Sequence, residues 1–194
     1  MNKLEREDLY TLEKYAEIRN DFRAKVIAHK KNRRLEIGPN ASLYFEDRLV
    51  MQYQIQEILR TERIFEAEGI NEELEAYNPL IPDGSNWKAT FMIEFPDEAE
   101  RRVALTKMHG VEDKTWMMIE GHDKVFPISD EDLERDNETK TSAVHFMRFE
   151  LTPEMVASLK SGANLSAGID HAAYSHAVAS VPENIKNSLV SDLD

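Results

Sequence analysis

The sequence predicts an α+β fold, a mainly antiparallel sheet with long N-terminal helices packed on one face. Two observations carry that expectation. Apolar residues recur at three- and four-residue steps through the first third of the chain, and from Trp87 onward they alternate with polar ones at a period of two. Helices first and strands afterwards is the order of a segregated α+β architecture.

The first helix is expected from about Glu7 to Arg33, with Leu12, Tyr15, Ile18, Phe22, Val26 and His29 on one face. Lys30, Lys31, Arg33 and Arg34 crowd its end, where cations complement the negative pole of the helix dipole. Leu35 to Ile37 and Ser42 to Glu46 read as a hairpin across Gly38-Pro39-Asn40-Ala41. A second helix is expected from Arg48 to Glu68, burying Met51, Ile55, Ile58, Leu59 and Phe65 and ending at Gly69; Glu62 interrupts that stripe and is expected to point partly into the core. A short helical piece, Asn71 to Ala76, leads into Tyr77 to Gly84, where Pro79, Pro82 and Gly84 exclude a helix interior or central strand and leave an ordered loop anchored by Leu80 and Ile81.

Trp87, Ala89, Phe91, Ile93 and Phe95 alternate with Lys88, Thr90, Met92 and Glu94 in the first long strand. Pro96 and Asp97 open a helix that ends near Gly110. Thr115 to Glu120 is a strand, with Lys124 to Ile128 pairing back on it. The densely charged segment from Ser129 to Lys140, including the acidic run from Asp130 to Asp136, reads as a solvated loop or lid without a core. In Thr141 to Leu151 one face carries Ala143, His145, Met147, Phe149 and Leu151, the other Val144, Phe146, Arg148 and Glu150. Thr152-Pro153 caps a short helix, Ala163 to Asp170 is a further strand, and Ile185, Leu189 and Leu193 give the tail a narrow apolar stripe for its own domain or a partner. We read residues 1–194 as one domain: a helical half at about 1–80, a strand-rich half at about 87–171 and a tail at 172–194.

Composition excludes several function classes. The 194 residues contain no cysteine, so thiolate nucleophiles, disulfides and thiolate-held clusters are ruled out, and any metal must be held by His, Asp or Glu. The net charge of -13 makes nucleic acid an unfavourable main partner. The charged start Met1 to Asp8 lacks the apolar run of a signal peptide, and no stretch suits a membrane helix, so a cytoplasmic location is expected. Motifs for dinucleotide, P-loop, zincin or nucleophile-elbow chemistry are missing.

Candidate chemistry comes from strand parity. If the strands form one sheet, Glu94, Glu120, Arg148, Glu150 and Asp170 share a face, an arrangement that suits a cationic ligand or a divalent metal such as Mn, Fe or Mg, or that raises one carboxyl for acid-base work. The plainer reading is a solvated face with cross-strand ion pairs. His145 is either a core histidine bound to a backbone carbonyl, or a metal ligand or catalytic base facing Glu62, with Glu150 as the third candidate. His122, Asp170, His171 and His176 sit in turns or at strand ends without metal-site spacing. The basic cluster at Lys30 to Arg34 is explained by helix capping, with an anion or RNA site as its other reading.

Tyr53 to Glu57, Glu62-Arg63-Ile64, Tyr77 to Gly84, and Lys140 to Phe146 continuing to Glu150-Leu151 together resemble a bacterial family known as domain of unknown function 3501, over about Leu9 to His171 with the tail outside. The resemblance implies a cytoplasmic role linked to redox or peroxide stress, because members are encoded near rubrerythrin-like and iron-sulfur proteins. It supplies no catalytic residues, but it draws attention to Tyr77, Asn78 and Asp83 as ligand-binding candidates beside Glu62, His145 and Glu150. The expected function is a non-enzymatic accessory protein, a homodimer binding a small ligand or a redox-protein partner. The alternative is a metal-dependent enzyme or metalloprotein built on His145, Glu62, Glu94, Glu120 and Glu150.

Overall fold

The computed structural model describes residues 3–131 and 140–194. The expected α+β class is observed, with antiparallel pairing throughout the described sheets. The strands are β1 (Arg34–Glu36), β2 (Ala41–Phe45), β3 (Asn86–Ile93), β4 (Thr115–Ile119), β5 (Lys124–Val125), β6 (Ile128–Ser129), β7 (Val144–Glu150), β8 (Leu165–His171) and β9 (Tyr174–Val178). They form two sheets, not one: a five-stranded sheet ordered β1-β2-β3-β7-β6 and a four-stranded sheet ordered β5-β4-β8-β9. The segment expected to pair back on β4 therefore divides, β5 staying with β4 and β6 crossing to β7.

One apolar core serves both sheets. Leu43, Phe45, Trp87, Phe91 and Phe149 come from the inner face of the first, Met117, Ile119, Leu165 and Ile169 from the second. The helix α5 (Pro153–Lys160), capped by Thr152, and α6 (Glu183–Val190) add Val156, Leu159, Ile185 and Leu189. Leu193 is buried there too, so the tail stripe docks on its own chain. Strand β9, just before it, was not anticipated, since its Ser175, His176 and Ala177 are exposed and give no apolar alternation. Gly38 in the β1–β2 turn has a φ of 75°, and a Cβ there would come within 2.6 Å of His176 and Tyr174. That close approach lets the Tyr174 hydroxyl accept from Asn40 N–H at 2.9 Å and donate to the Ile37 carbonyl at 2.8 Å, tying the hairpin to the second sheet.

The N-terminal helices depart from expectation. A 3-10 turn at Arg6–Asp8 precedes α1 (Leu12–Lys30), whose start is fixed by Thr11 accepting from Lys14 N–H. Helix α2 (Arg48–Glu62) stops six residues before the expected Glu68 because Arg63 adopts a left-handed conformation at φ 57°. Phe65 is consequently exposed, and Gly69 lies inside α3 (Ala67–Tyr77). These helices bury their stripes mainly on each other, in one cluster of Leu4, Val50, Met51, Ile55, Leu59, Leu74 and Ile81 and a second of Tyr15, Phe22 and Val26, so they cover the sheet only in part. Helix α4 (Glu98–Lys107) starts at its Asp97 cap as the sequence implied. Among the described residues no helix is long and apolar enough to cross a membrane.

Candidate functional site

Strand parity places Lys88, Thr90, Phe146 and Arg148 on the outer face of the five-stranded sheet, opposite the buried Trp87, Phe91, Met147 and Phe149. Register then sets Lys88 directly across from Arg148, and Arg148 across from Ile128. The far wall is the end of α3 and the loop after it. Pro79 and Pro82 keep that loop out of regular structure, a 3-10 turn at Asn78–Leu80 folds it back, and buried Ile81 anchors it. Tyr77, Pro79, Leu80 and Asp83 thus face Lys88, Phe146, Arg148 and Ile128 across a cleft of about 770 Å³, a size that suits a small organic ligand.

The cleft combines apolar walls with ionisable groups. Arg148 donates from Nε and Nη2 to both oxygens of Glu131, at 2.8 and 2.7 Å, and from Nη1 to Glu150. These two carboxylates hold the guanidinium firmly charged, and Arg148 in turn keeps the Glu131 carboxyl below its usual range. Glu150 also accepts from Asn86 Nδ2 at 2.9 Å. Lys88 is treated differently: its Nζ donates to the Pro79 carbonyl, and burial pushes its ammonium pKa down against the pull of Asp83. Burial likewise pushes the Glu46 carboxyl up, only partly offset by the Thr90 hydroxyl that donates to it at 2.7 Å. Asp83 is engaged by Ser85, whose N–H and hydroxyl donate to Oδ1 at 3.0 and 2.8 Å.

His145 belongs to the other face. It is fully buried, its ring 6.3 Å from Phe91, with Nδ1 2.6 Å from Asp130 Oδ2. A carboxylate can only accept, so Nδ1 carries the proton in that bond. Nε2 lies 2.9 Å from Thr141 Oγ1, 3.1 Å from the Ser142 carbonyl and 3.8 Å from Glu112 Oε2. Asp130, in a left-handed conformation at φ 51°, also accepts from Phe146 N–H at 2.9 Å and donates its own N–H to the Phe146 carbonyl at 2.8 Å. This residue therefore links the core histidine to Glu131 in the cleft through one peptide bond.

The structure brings together Tyr77, Asp83 and Arg148 in the cleft, with Glu150 beside it. Other sequence-predicted residues are separated from them. Glu62 is exposed at the end of α2 instead of pointing into the core, because the helix ends there, and it does not meet His145. Asn78 is occupied as a clip on the N-terminus, its amide exchanging hydrogen bonds of 2.8 and 2.9 Å with the Leu4 backbone. Glu94 joins Arg34 and Tyr44 at the opposite end of the sheet, whereas Glu120 and Asp170 belong to the second sheet and cannot share its face. Glu120 accepts from Asn164 N–H at 3.1 Å, and Asp170 from Lys124 Nζ at 2.5 Å. His122 meets Ser158 at 2.8 Å, His171 the His109 carbonyl at 3.0 Å, and His176 packs on the Tyr174 ring. Among the described residues no three His, Asp or Glu side chains are grouped to hold a metal ion.

Within the basic cluster, Arg33 is a core residue and not a capping cation. Arg33 is 2% exposed and holds both oxygens of Asp192, at 3.0 and 2.6 Å, together with the carbonyls of Phe45, Glu46 and Ser188. Of the expected lid, residues 132–139 lie outside those described, but Ser129 pairs in β6 and Asp130 and Glu131 are anchored to β7. Sequence reasoning missed Lys88, Glu46 and Glu131. Parity had put Lys88 on the polar face, but only the pairing register sets it against Arg148.

Comparison with known proteins places the chain without assigning it a chemistry. A crystal structure at 1.90 Å of a novel protein of unknown function from Burkholderia pseudomallei K96243 superposes with a TM-score of 0.92, at 49% identity over 100% of both chains. No curated protein matches. The family model described as protein of unknown function (DUF3501) matches residues 3–193, which includes β9 and the docked tail that the sequence resemblance had left out. The chain therefore belongs to the DUF3501 family.

Proposed function

We propose that this protein binds a small organic ligand in the cleft between the outer face of the five-stranded sheet and the loop after α3. One observation carries the reading: four separate elements converge apolar walls and ionisable side chains on a cavity of about 770 Å³. Rim contacts between surface ion pairs need no such concavity, whereas burying most of a small molecule does. The link to redox or peroxide stress is part of this proposal and is supported by the family resemblance alone; a ligand-controlled accessory role accords with it.

The test is a fragment screen followed by amide chemical-shift perturbation, with Ala76→Trp as the blocking variant. Ala76 lines the cleft from the exposed last turn of α3, so an indole there fills the space without entering a core. Fragments that bind are expected to shift the amides of Leu80, Lys88 and Phe146, and Ala76→Trp to abolish that binding while leaving the melting temperature within a few degrees. Fragments that bind elsewhere and ignore Ala76→Trp would overturn the reading.

A further inference from the structure

Lys88 and Arg148 stand directly opposite one another on neighbouring strands, side chains on the same face. Like charges in that position repel, and a sheet ordinarily avoids them or places an anion between them. Here the anion comes from outside the pair. Glu131, just beyond the two-residue strand β6, reaches in and takes the Nε and Nη2 edge of Arg148 with both carboxylate oxygens, while Glu150 holds Nη1. Its side chain is 51% exposed, so the contact is made at the mouth of the cleft and can be exchanged for another carboxylate without opening a core.

Lys88 has no carboxylate within ion-pair distance among the described residues; its hydrogen bond goes to a neutral carbonyl, that of Pro79. The cleft therefore holds one cation shared between the half-exposed Glu131, on Nε and Nη2, and Glu150, on Nη1, and a second beside it with donors to spare, since an ammonium has three N–H groups. Next to both lie Leu80, Ile128 and Phe146.

We infer that the cleft is a carboxylate site: an organic acid with an apolar body seats its carboxylate on Arg148 and Lys88 and its body against Leu80, Ile128 and Phe146, displacing Glu131, which fills the position in the free protein. This deepens the ligand-binding reading above and rests on it. Planar, two-point recognition by a guanidinium fits a carboxylate, which Glu131 demonstrates with its own two oxygens. An alcohol could make only one such bond, and an amine in the place of Glu131 would set a second cation against Arg148, the other carboxylate neighbours in or beside the cleft being Glu46, Asp83 and Glu150. Asp130 is the positioning residue for the occupant, because its bonds to His145 and to the Phe146 backbone fix where Glu131 begins.

The experiment compares three compounds with one body, 3-phenylpropanoate, 3-phenylpropan-1-ol and 3-phenylpropylamine, by calorimetry and chemical-shift perturbation on the parent protein, Glu131→Ala and Lys88→Met. The carboxylate is expected to bind the parent at least about tenfold more tightly than the alcohol, with the amine weakest. Glu131→Ala is expected to tighten the carboxylate about fivefold, and Lys88→Met to weaken it by a similar factor, each changing the alcohol by a smaller factor. The tightening is the decisive readout, because loss of a merely structural ion pair would not improve binding. Equal binding of all three compounds at Leu80 and Phe146, unaffected by Glu131→Ala, would overturn the carboxylate assignment and leave the ligand-binding reading standing. No binding of any compound to the parent or to Glu131→Ala, with fragments also failing to perturb the cleft, would overturn both.

Discussion

Two arginines, Arg33 and Arg148, each grip a carboxylate with two nitrogens, yet they do opposite things. Arg33 is 2% exposed and its guanidinium is bound from three directions: the β2 exit through Phe45, Glu46 and the Asp47 carboxylate at 3.6 Å, the α6 backbone at Ser188, and Asp192 beyond α6. It rivets the C-terminal helix to the hairpin. Arg148 has a side chain 26% exposed, lies on the outer face of the sheet, and is held by carboxylates alone. The same bidentate geometry is thus permanent where water is excluded and exchangeable where it is not. The reason is the reference state: losing a partner in the core leaves an unsolvated charge, whereas at the cleft mouth water or a ligand replaces the lost bonds.

The contrast is broken most directly at the rivet. Asp192→Ala takes the bidentate partner from the buried Arg33 guanidinium, leaving it Asp47 at 3.6 Å and backbone carbonyls, and is expected to cost about 2–3 kcal/mol, a large share of a typical domain's stability. Urea denaturation should show the midpoint falling. The paired replacement Arg33→Met with Asp192→Leu should recover most of the loss, because burial itself already pushes the Asp192 carboxyl up against the pull of Arg33. A loss below about 1 kcal/mol for Asp192→Ala would mean that the rivet is not where the tail's attachment resides.

How much of this was legible in the sequence follows from the range of the interactions. Period-two alternation identified the strands around Trp87 and His145 and the face each residue takes, because parity is local. It could not say that the strands divide between two sheets, which is why Glu120 and Asp170 were grouped wrongly with Glu94 and Glu150. Helical spacing found α1 and α2 but ran past Arg63, since nothing in that residue's chemistry announces a left-handed turn. Within the cleft, Tyr77, Asp83 and Arg148 were singled out, but Lys88 and Glu131 acquire meaning only through register and through a short strand that crosses between sheets. Arg33 looked like a capping cation because its partner, Asp192, is 159 positions away.

The second comparison sharpens the other arm. Arg148→Met removes three hydrogen bonds to Glu131 and Glu150, and by count alone it should be as harmful as losing the rivet. Because both carboxylates are left half-exposed to water, with side chains 51% and 41% exposed, the expected cost is below about 1 kcal/mol. Urea midpoints measured beside those of Asp192→Ala would establish the ratio. A cost matching that of Asp192→Ala would show that the cleft's ion pairs are as structural as the core's, and would remove the basis for calling Glu131 exchangeable.

Glu46 touches both regions and yields the smallest effect. Its carbonyl accepts from Arg33 Nη2 at 2.9 Å, while its carboxylate lines the cleft under the Thr90 hydroxyl. Burial raises that carboxyl above its ordinary value of 4.5, so the fold favours the protonated form. The sign follows by linkage: the stabilisation from holding the proton is complete below the ordinary value and is lost as pH rises through the raised one. Glu46→Gln keeps the neutral shape at every pH. The variant should therefore be more stable than the parent at neutral pH, by less than about 1 kcal/mol, and the gap should close as both approach about pH 4. Thermal melts across that range check it. A gap that does not change with pH would place its origin in packing, not ionisation, and would mean that the cleft carries Glu46 as an ordinary surface carboxylate even though its own backbone is fastened to the most buried ion pair described in the molecule.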